Sequence, residues 1–413
     1  MTRVVLFCTD TIGMRMAGLG LRYWELAHAL ARRGLSVTLA VPSEPDVTSA
    51  TVELAVHKFD ETICARLARG ADVFAIHGFM LFHVPVLREI ARPMAVDLCT
   101  PMLIENLENH RYEAAPERRR IHAVNLQVQR EQLRRGVFFF CASERQRDYW
   151  LGALVALGRV TAAAHAGDRR LRNLIDVVPF GFPAQPPRHT RDVLKGVWPG
   201  IGRDDVVLLW GGGVWEWFDP LTPIRGLGRA VRERPDLKLL FICKGHPNPR
   251  LAARGVAPIY ERAVALATEL GLRDKHVFFN PGWVPYDERE NYLLEADLGI
   301  SAHFDRIETV LSVRTRLFDY FWAELPMLLT GGDSISDEVV APQGLGRVVP
   351  PGDDAAWAAA LLELAAEPDR RARRHAAFAR VKTDLTWDRV VEPLASFCAR
   401  APQLMPHGER RRP

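Results

Sequence analysis

The chain is poor in cysteine, has no long apolar run and carries no large excess of charge of either sign. Six cysteines are scattered over 413 residues: Cys8, Cys64, Cys99, Cys141, Cys243 and Cys398. None forms a C-x-x-C pair or a cluster with histidine, which argues against a disulfide framework and against a zinc site. Cys8, Cys99, Cys141 and Cys243 lie in apolar, strand-like runs, where a thiol behaves as a small buried hydrophobe. A reducing cytoplasm is the expected location. No run approaches the roughly 20 apolar residues that span a bilayer. Met1 leads straight into a strand, without the basic and apolar segments of a signal peptide. A soluble chain with no stable membrane insertion is therefore expected. The formal net charge of +4 is small for this length and gives no reason to expect nucleic acid; a small anionic ligand accounts for it equally well. No D-x-D-like acidic cluster suggests a metal, and no cofactor is expected.

What the chain does have is alternation. Short runs rich in Val, Ile and Phe occur at 4–8, 37–41, 52–56, 73–76, 94–99, 137–141 and 175–178. Most show no polar alternation, as expected of strands covered by helices on both faces. Amphipathic segments lie between them. In residues 19–33, Leu19, Tyr23, Leu26 and Leu30 form one stripe, and Gly34 is placed to stop the helix. A proline-rich stretch at 179–187 interrupts the series and reads as a linker. Strand-like runs then resume at 206–210, 239–243, 277–280, 298–302, 327–330 and 347–349. Two successive series of this kind predict an α/β chain of two doubly wound parallel sheets. The boundaries expected are 1–182 and 183–385. A closing helix at 386–400 is able to cap either domain and is expected to return to the first, and a basic tail at 401–413 is expected to be disordered. Ligands in such folds bind beyond the carboxyl ends of the strands, so an interdomain cleft is the expected site.

Four segments carry candidate chemistry. Gly13 to Gly20 follows the first strand and opens the first helix, where unpaired N–H groups face an anion; the same glycines also suit a plain turn. Trp210 to Pro220 places three glycines and then Trp215, Trp217 and Phe218 after the first strand of the second series, as a ligand wall or a hydrophobic plug. Lys244 ends the next strand, either facing a phosphate or solvated at the surface. The fourth segment, 301–326, contains Glu308, Ser312, Val313, Arg314, Arg316 and Asp319. If a helix starts near Ser312, then Val313, Leu317 and Phe321 form its buried stripe, while Ser312, Arg316 and Asp319 share another face. Two arginines in a first helical turn oppose the helix dipole and need an anionic partner. That partner is a ligand phosphate, Glu308, or a local pairing of Arg316 with Asp319. His77 and His303 stand at strand ends, as acceptor-side residues or as hydrogen-bonded structure. The run Arg118 to Arg120 reads as a solvated helix face, with contact to an acidic acceptor or a membrane surface as the alternative.

The fourth segment resembles the GT-B glycosyltransferases of family 4, in which a strand leads to a glutamate, a short loop, a helix bearing a second acid, and then A-x-G-x-P. Asp319 and Trp322-Ala323-Glu324-Leu325-Pro326 stand where the second acid and its tail belong. The resemblance extends over nearly the whole chain through the strand order, the first glycine loop, the linker and the Thr386-Trp387-Asp388 entry to the closing helix. It implies two Rossmann-like domains facing a cleft, and a nucleotide diphosphate sugar as donor. It implies that Asp319 holds the ribose hydroxyls, that Ser312, Val313 and Arg314 meet the diphosphate through backbone N–H groups, and that Glu308 contacts the donor sugar. Trp283 and Val284 would border the base, and Gly18 and Gly20 would face the diphosphate from the first domain. Gly213, Trp215 and Lys244 complete the expected donor-binding set.

Three departures from the family pattern stand out. The usual acid-x7-acid spacing is not kept. The basic pair after the first strand of the second domain is missing, with Trp217 and Asp219 in its region. The histidine after the fifth strand is replaced by about Asp97. Arg314, Arg316 and Lys244 are therefore expected to supply the missing positive charge. Asp97, Glu308 and Arg316 are the expected catalytic group, with Asp97 orienting or deprotonating the acceptor. The expected reaction is metal-independent transfer of a sugar, with retention, to a small-molecule or glycan acceptor. A sugar-nucleotide epimerase or pseudo-sugar coupling enzyme on the same scaffold, and an inactive scaffold protein, are the alternatives. Nothing in the sequence points to a particular oligomeric state.

Overall fold

In the computed structural model, residues 1–47, 54–58, 60–253 and 255–404 are described. The chain divides into two compact units, Met1–Gly181 together with Trp387–Pro413, and Phe182–Thr386. The first is built on seven parallel strands: β1 (Arg3–Phe7), β2 (Ser36–Val41), β3 (Leu54–Lys58), β4 (Val73–His77), β5 (Met94–Asp97), β6 (Phe138–Cys141) and β7 (Ile175–Val177). Their order is β3-β2-β1-β4-β5-β6-β7. The second unit has six: β8 (Val206–Trp210), β9 (Leu237–Phe241), β10 (Val277–Phe279), β11 (Leu298–Ser301), β12 (Met327–Thr330) and β13 (Gly346–Val349), in the order β10-β9-β8-β11-β12-β13. Each predicted strand run has its strand; residues 52 and 53 of the third run lie outside the described residues.

The central strands are apolar because helices cover both faces. β4, β5, β6 and β8 are buried along their whole length. In helix Gly18–Arg32 the residues Tyr23, Leu26 and Leu30 are buried. Gly34 then takes φ 78°, with its N–H donating to Ala31 O at 2.9 Å and the Leu35 N–H to Leu30 O at 3.3 Å. Those two bonds are the left-handed glycine stop that the sequence suggests. The closing segment forms helices Trp387–Val390 and Glu392–Arg400 and lies in the first unit. Phe397 stacks on Phe138 with centroids 4.7 Å apart, and Arg32 donates to Asp388 at 2.8 Å. Residues Ala401–Leu404 form a short 3-10 turn, and the rest of the basic tail lies outside the described residues.

Strand order fixes where each unit can receive a ligand. In the first, successive strands run outward from β1 in one direction and from β4 in the other. In the second, the reversal lies between β8 and β11. At such a switch point the connecting loops diverge and leave a crevice at the carboxyl ends.

Candidate functional site

In the second unit, Gly211–Gly213 follows β8 at the switch point, and the segment after β11 supplies the charged groups. The helix expected from Ser312 begins later. Ile307–Leu311 forms a short helix, Ser312 and Arg314 are extended, and the next helix is Thr315–Trp322. Glu308 accounts for the break. It is fully buried, and Oε1 accepts both the Ser312 hydroxyl at 2.6 Å and Arg314 Nη1 at 2.8 Å, while Oε2 accepts Arg314 Nη2 at 2.6 Å. Holding Ser312 and Arg314 on one carboxylate keeps 312–314 out of helical geometry. The shared face of Ser312, Arg316 and Asp319 is therefore not formed. Val313, Leu317 and Phe321 are nonetheless buried as expected.

The two arginines have different fates. Arg314 is the bidentate partner of Glu308, which leaves Glu308 in this geometry as a counter-ion. Arg316 is 5% exposed and has no carboxylate partner among the described residues. Its guanidinium lies 4.4 Å from the Trp210 ring centroid and 4.3 Å from that of Phe218. Nη2 donates to Gly213 O at 2.6 Å, and Nη1 has no hydrogen-bond partner. Burial pushes its pKa from 12.5 down to about 10, despite the nearby Tyr320. The pairing of Arg316 with Asp319 does not occur. Asp319 receives Arg289 Nε at 3.3 Å instead, and burial raises its carboxyl pKa against that arginine's pull.

Tyr320 fixes the loop against the sheet. Its hydroxyl lies 2.8 Å from Leu209 O and 2.9 Å from Ile300 O, and accepts the Gly211 N–H at 2.9 Å. A Cβ on Gly299 would lie 2.6 Å from the tyrosine ring, so the ring needs glycine there. Gly213 is equally constrained, since a Cβ would lie 2.3 Å from the Trp215 indole. Trp215, His246 and Trp283 gather beside this loop. The centroids of Trp215 and His246 are 5.1 Å apart, and those of Trp215 and Trp283 6.4 Å. Trp283 bridges Cys243, and Lys244, whose side chain is exposed, donates its N–H to Gly282 O at 2.8 Å. Val284 is buried next to Trp283. Asp219 accepts the N–H groups of Leu221 and Thr222 and so opens the helix after this loop. His303 is fully buried. Ser301 Oγ is 3.2 Å from its Nε2, and desolvation, with Arg314 and Arg316 close by, holds its pKa well below the usual range. It is a neutral structural ring in the second unit and is not exposed to an acceptor.

At the switch point of the first unit, Gly18 starts its helix and Gly20 lies under the preceding loop, where a Cβ would come within 2.4 Å of Thr11 O. No side chain caps this helix, and its first turn has no acid. Asp97 ends β5 with a side chain that has no exposed surface. Arg22 Nε donates to it at 2.7 Å, and Arg22 also reaches Val178 O and Pro179 O. The same carboxylate accepts the Cys99 N–H at 3.0 Å. Asp97 is thus the counter-ion of a buried arginine rather than a group open to an acceptor. His77 is 5% exposed, its Nε2 lies 2.9 Å from Thr100 Oγ1, and its Nδ1 has no partner. Desolvation pushes its pKa down to about 4, so the ring is neutral at pH 7.

Comparison with solved structures decides the fold. HepE of Anabaena, in complex with UDP-glucose, superposes with a TM-score of 0.68 at 13% identity, covering 97% of this chain and 100% of that one. Sucrose-phosphate synthase from Thermosynechococcus elongatus gives 0.64 at 16% identity, over 97% and 99%. An alpha,alpha-trehalose-phosphate synthase (UDP-forming) from Burkholderia vietnamiensis gives 0.62 at 12%, over 97% and 100%. The chain has the GT-B fold. No family model and no curated protein matches it by sequence.

Within this GT-B chain, the second switch point brings Gly213, Trp215, Arg316, Glu308, Ser312 and Arg314 into one linked group around Phe218. Trp283 and Lys244 adjoin it through Trp215. Asp97, His77, Gly18 and Gly20 belong to the first unit. Sequence reasoning missed Tyr320, Arg289 and Arg22. Tyr320 lies on the helix carrying Asp319, but nothing local shows that its hydroxyl reaches β8 and β11. Among the described residues, one group brings three possible metal ligands together: His189, Asp192 and Glu295, within 4.8 Å. Glu295 already accepts the N–H groups of Val193, Leu194 and Lys195 as well as His189, which makes it a fastening for that turn. Among the described residues no helix is long and apolar enough to cross a membrane.

Proposed function

We propose that this chain is a glycosyltransferase that moves a sugar from a nucleotide diphosphate sugar to an acceptor, without a metal and with retention of configuration. One observation carries the reading. Arg316 is a buried guanidinium at the β8/β11 switch point, with no carboxylate among the described residues to neutralise it and one donor nitrogen unsatisfied. An unpaired buried charge is costly, and a diphosphate arriving beside it supplies the missing anion. The same charge then stabilises the leaving diphosphate as the glycosidic bond to phosphate breaks. HepE, of the same fold, is seen in complex with UDP-glucose, which makes a nucleotide sugar the donor class to test first. In this reading Asp319, tied to Arg289, receives the ribose, and the acceptor is bound by the first unit.

The test is direct. The purified chain is melted in the presence of UDP, GDP, ADP, CMP and dTDP, and then incubated with the sugar conjugates of whichever nucleotide stabilises it. One nucleotide is expected to raise the melting temperature by mass action. Its sugar conjugate is expected to give free nucleoside diphosphate and a product heavier by one glycosyl unit. Absence of stabilisation by every nucleotide overturns the donor assignment. An isomerised donor without released diphosphate replaces transfer by epimerisation.

A further inference from the structure

The switch point of the first unit leaves neutral groups unsatisfied, where that of the second leaves a cation. Thr11 Oγ1, Tyr23 Oη and His77 Nδ1 are buried and have no hydrogen-bond partner among the described residues. His77 closes β4, and its ring meets that of Tyr23 edge to face with centroids 6.3 Å apart. Tyr23 stands in the second turn of helix Gly18–Arg32, and the Thr11 carbonyl packs on Gly20 one turn earlier. Burial keeps both rings uncharged at pH 7. It raises the Tyr23 pKa well above the usual range, and it lowers that of His77 to about 4 against the pull of Asp97 and Asp10. The buried cation beside them is already spent, since Asp97, Val178 O and Pro179 O take the nitrogens of Arg22. Buried polar atoms without a partner are rare in folded proteins, and each calls for a group that answers it.

We propose that the acceptor is an uncharged hydroxyl compound, a sugar or polyol without phosphate or carboxylate, whose hydroxyls pair with Tyr23 Oη and His77 Nδ1; this rests on the transfer reading above and adds the class of acceptor. Hydrogen-bond chemistry selects the hydroxyl. His77 Nε2 faces the Thr100 hydroxyl at 2.9 Å, and that hydroxyl either donates or accepts, which leaves Nδ1 as a donor or as an acceptor. A ligand hydroxyl answers both forms, and it answers the phenol of Tyr23 as well. A carboxylate or fully ionised phosphate only accepts, and it would arrive beside Asp97 and Asp10 with no free guanidinium from Arg22 to offset their charge.

The full chain is assayed with the donor that the nucleotide screen identifies and with matched acceptors: glucose, galactose, mannose and N-acetylglucosamine against their 6-phosphates, and glycerol against glycerol 3-phosphate. An uncharged member is expected to exceed its phosphorylated partner by about tenfold or more in kcat/KM. Tyr23→Phe and His77→Gln are each expected to raise the KM of that acceptor about 2- to 12-fold, the usual loss for one hydrogen bond, with the nucleotide-induced melting shift unchanged. Tyr23→Phe removes a hydroxyl that has no partner, so the melting temperature of the ligand-free protein should not fall; His77→Gln serves if the phenylalanine protein does not fold. Preference for the phosphorylated partners overturns the proposal, as does release of sugar to water alone with no uncharged acceptor glycosylated. An unchanged acceptor KM in both variants also overturns it and assigns the two groups to ordered water. Each of these results leaves the donor site standing. If no nucleotide stabilises the natural protein, the transfer reading falls and the acceptor assignment with it.

Discussion

Replacing Arg316 with methionine distinguishes a charge kept for a ligand from a charge kept for the fold. The guanidinium is 5% exposed, and burial moves its pKa from 12.5 to about 10. At about 1.4 kcal/mol per unit, that is about 3 kcal/mol against the charged form. On the other side stand one charged hydrogen bond to Gly213 O, about 1.5–3 kcal/mol, and stacking on Trp210 and Phe218, about 1–2 kcal/mol. The terms nearly cancel, and methionine keeps an apolar stem between the two rings. Arg316→Met should therefore change the stability of the ligand-free protein by less than about 2 kcal/mol in urea unfolding. Donor turnover should fall about 100- to 1000-fold, the usual cost of removing one donor that stabilises developing negative charge. The linkage sign agrees. A folded-state pKa below the unfolded one places the penalty below pH ~10 and relieves it as pH rises toward 12.5, and the variant should lack that alkaline gain. A loss of more than about 5 kcal/mol, beyond what the removed bond and stacking supply, with the nucleotide-induced melting shift unchanged, would refute the reasoning and make Arg316 a structural strut.

Three further outcomes are expected. Glu308→Gln leaves Arg314 buried without its anion and should cost about 3–5 kcal/mol in urea unfolding, with the double change Glu308→Gln, Arg314→Met recovering part of it. His77 has a folded pKa of about 4, below the unfolded 6.5, so its contribution is complete above pH 6.5 and is lost as pH falls toward 4; stability measured over that interval should drop by up to about 3 kcal/mol less in His77→Gln. Glu324 takes φ 52° at the glycine position of the A-x-G-x-P pattern, so Glu324→Gly should be more stable than Glu324→Ala by about 1 kcal/mol in thermal unfolding; equal stabilities would show that the left-handed backbone carries no strain.

The sheets were legible because their strands are buried on both faces. Runs such as Val206–Trp210 and Phe138–Cys141 need no partner to be recognised, since only a covered strand tolerates such composition. The glycine stop at Gly34 was legible for a similar reason: its bonds reach only three and five residues back. The start of the helix after Glu308 was not. Local rules make Ser312 a fair N-cap, and its hydroxyl is spent on Glu308 instead. A side chain's partner decides that geometry, and partner choice among several acids and arginines within ten residues is set by tertiary burial. The Asp319 pairing shows the same limit, because Arg289 arrives from another helix.

Two buried arginines, one at each switch point, make the case for a ligand by comparison. Arg22 lies over Phe140 and Phe180, with its guanidinium 5.6 Å and 4.9 Å from the ring centroids, much as Arg316 lies over Trp210 and Phe218. Arg22 has everything a buried cation requires: a bidentate carboxylate and two backbone carbonyls. Desolvation is the largest single effect there, but the charge and hydrogen bond of Asp97, with Cys99 and Tyr23 close by, together outweigh it, and its pKa rises. Arg316 has the same aromatic setting with one carbonyl and no carboxylate, and its pKa falls. Arginine suits both places because a planar guanidinium stacks while keeping its edge nitrogens available. At Arg22 those nitrogens are used up within the first unit. At Arg316 one remains unused, next to a glycine loop at the place where a doubly wound sheet receives its ligand. Arg22 thus has a carboxylate where it serves the fold, whereas Arg316 has none among the described residues, and the proposed diphosphate would supply that anion.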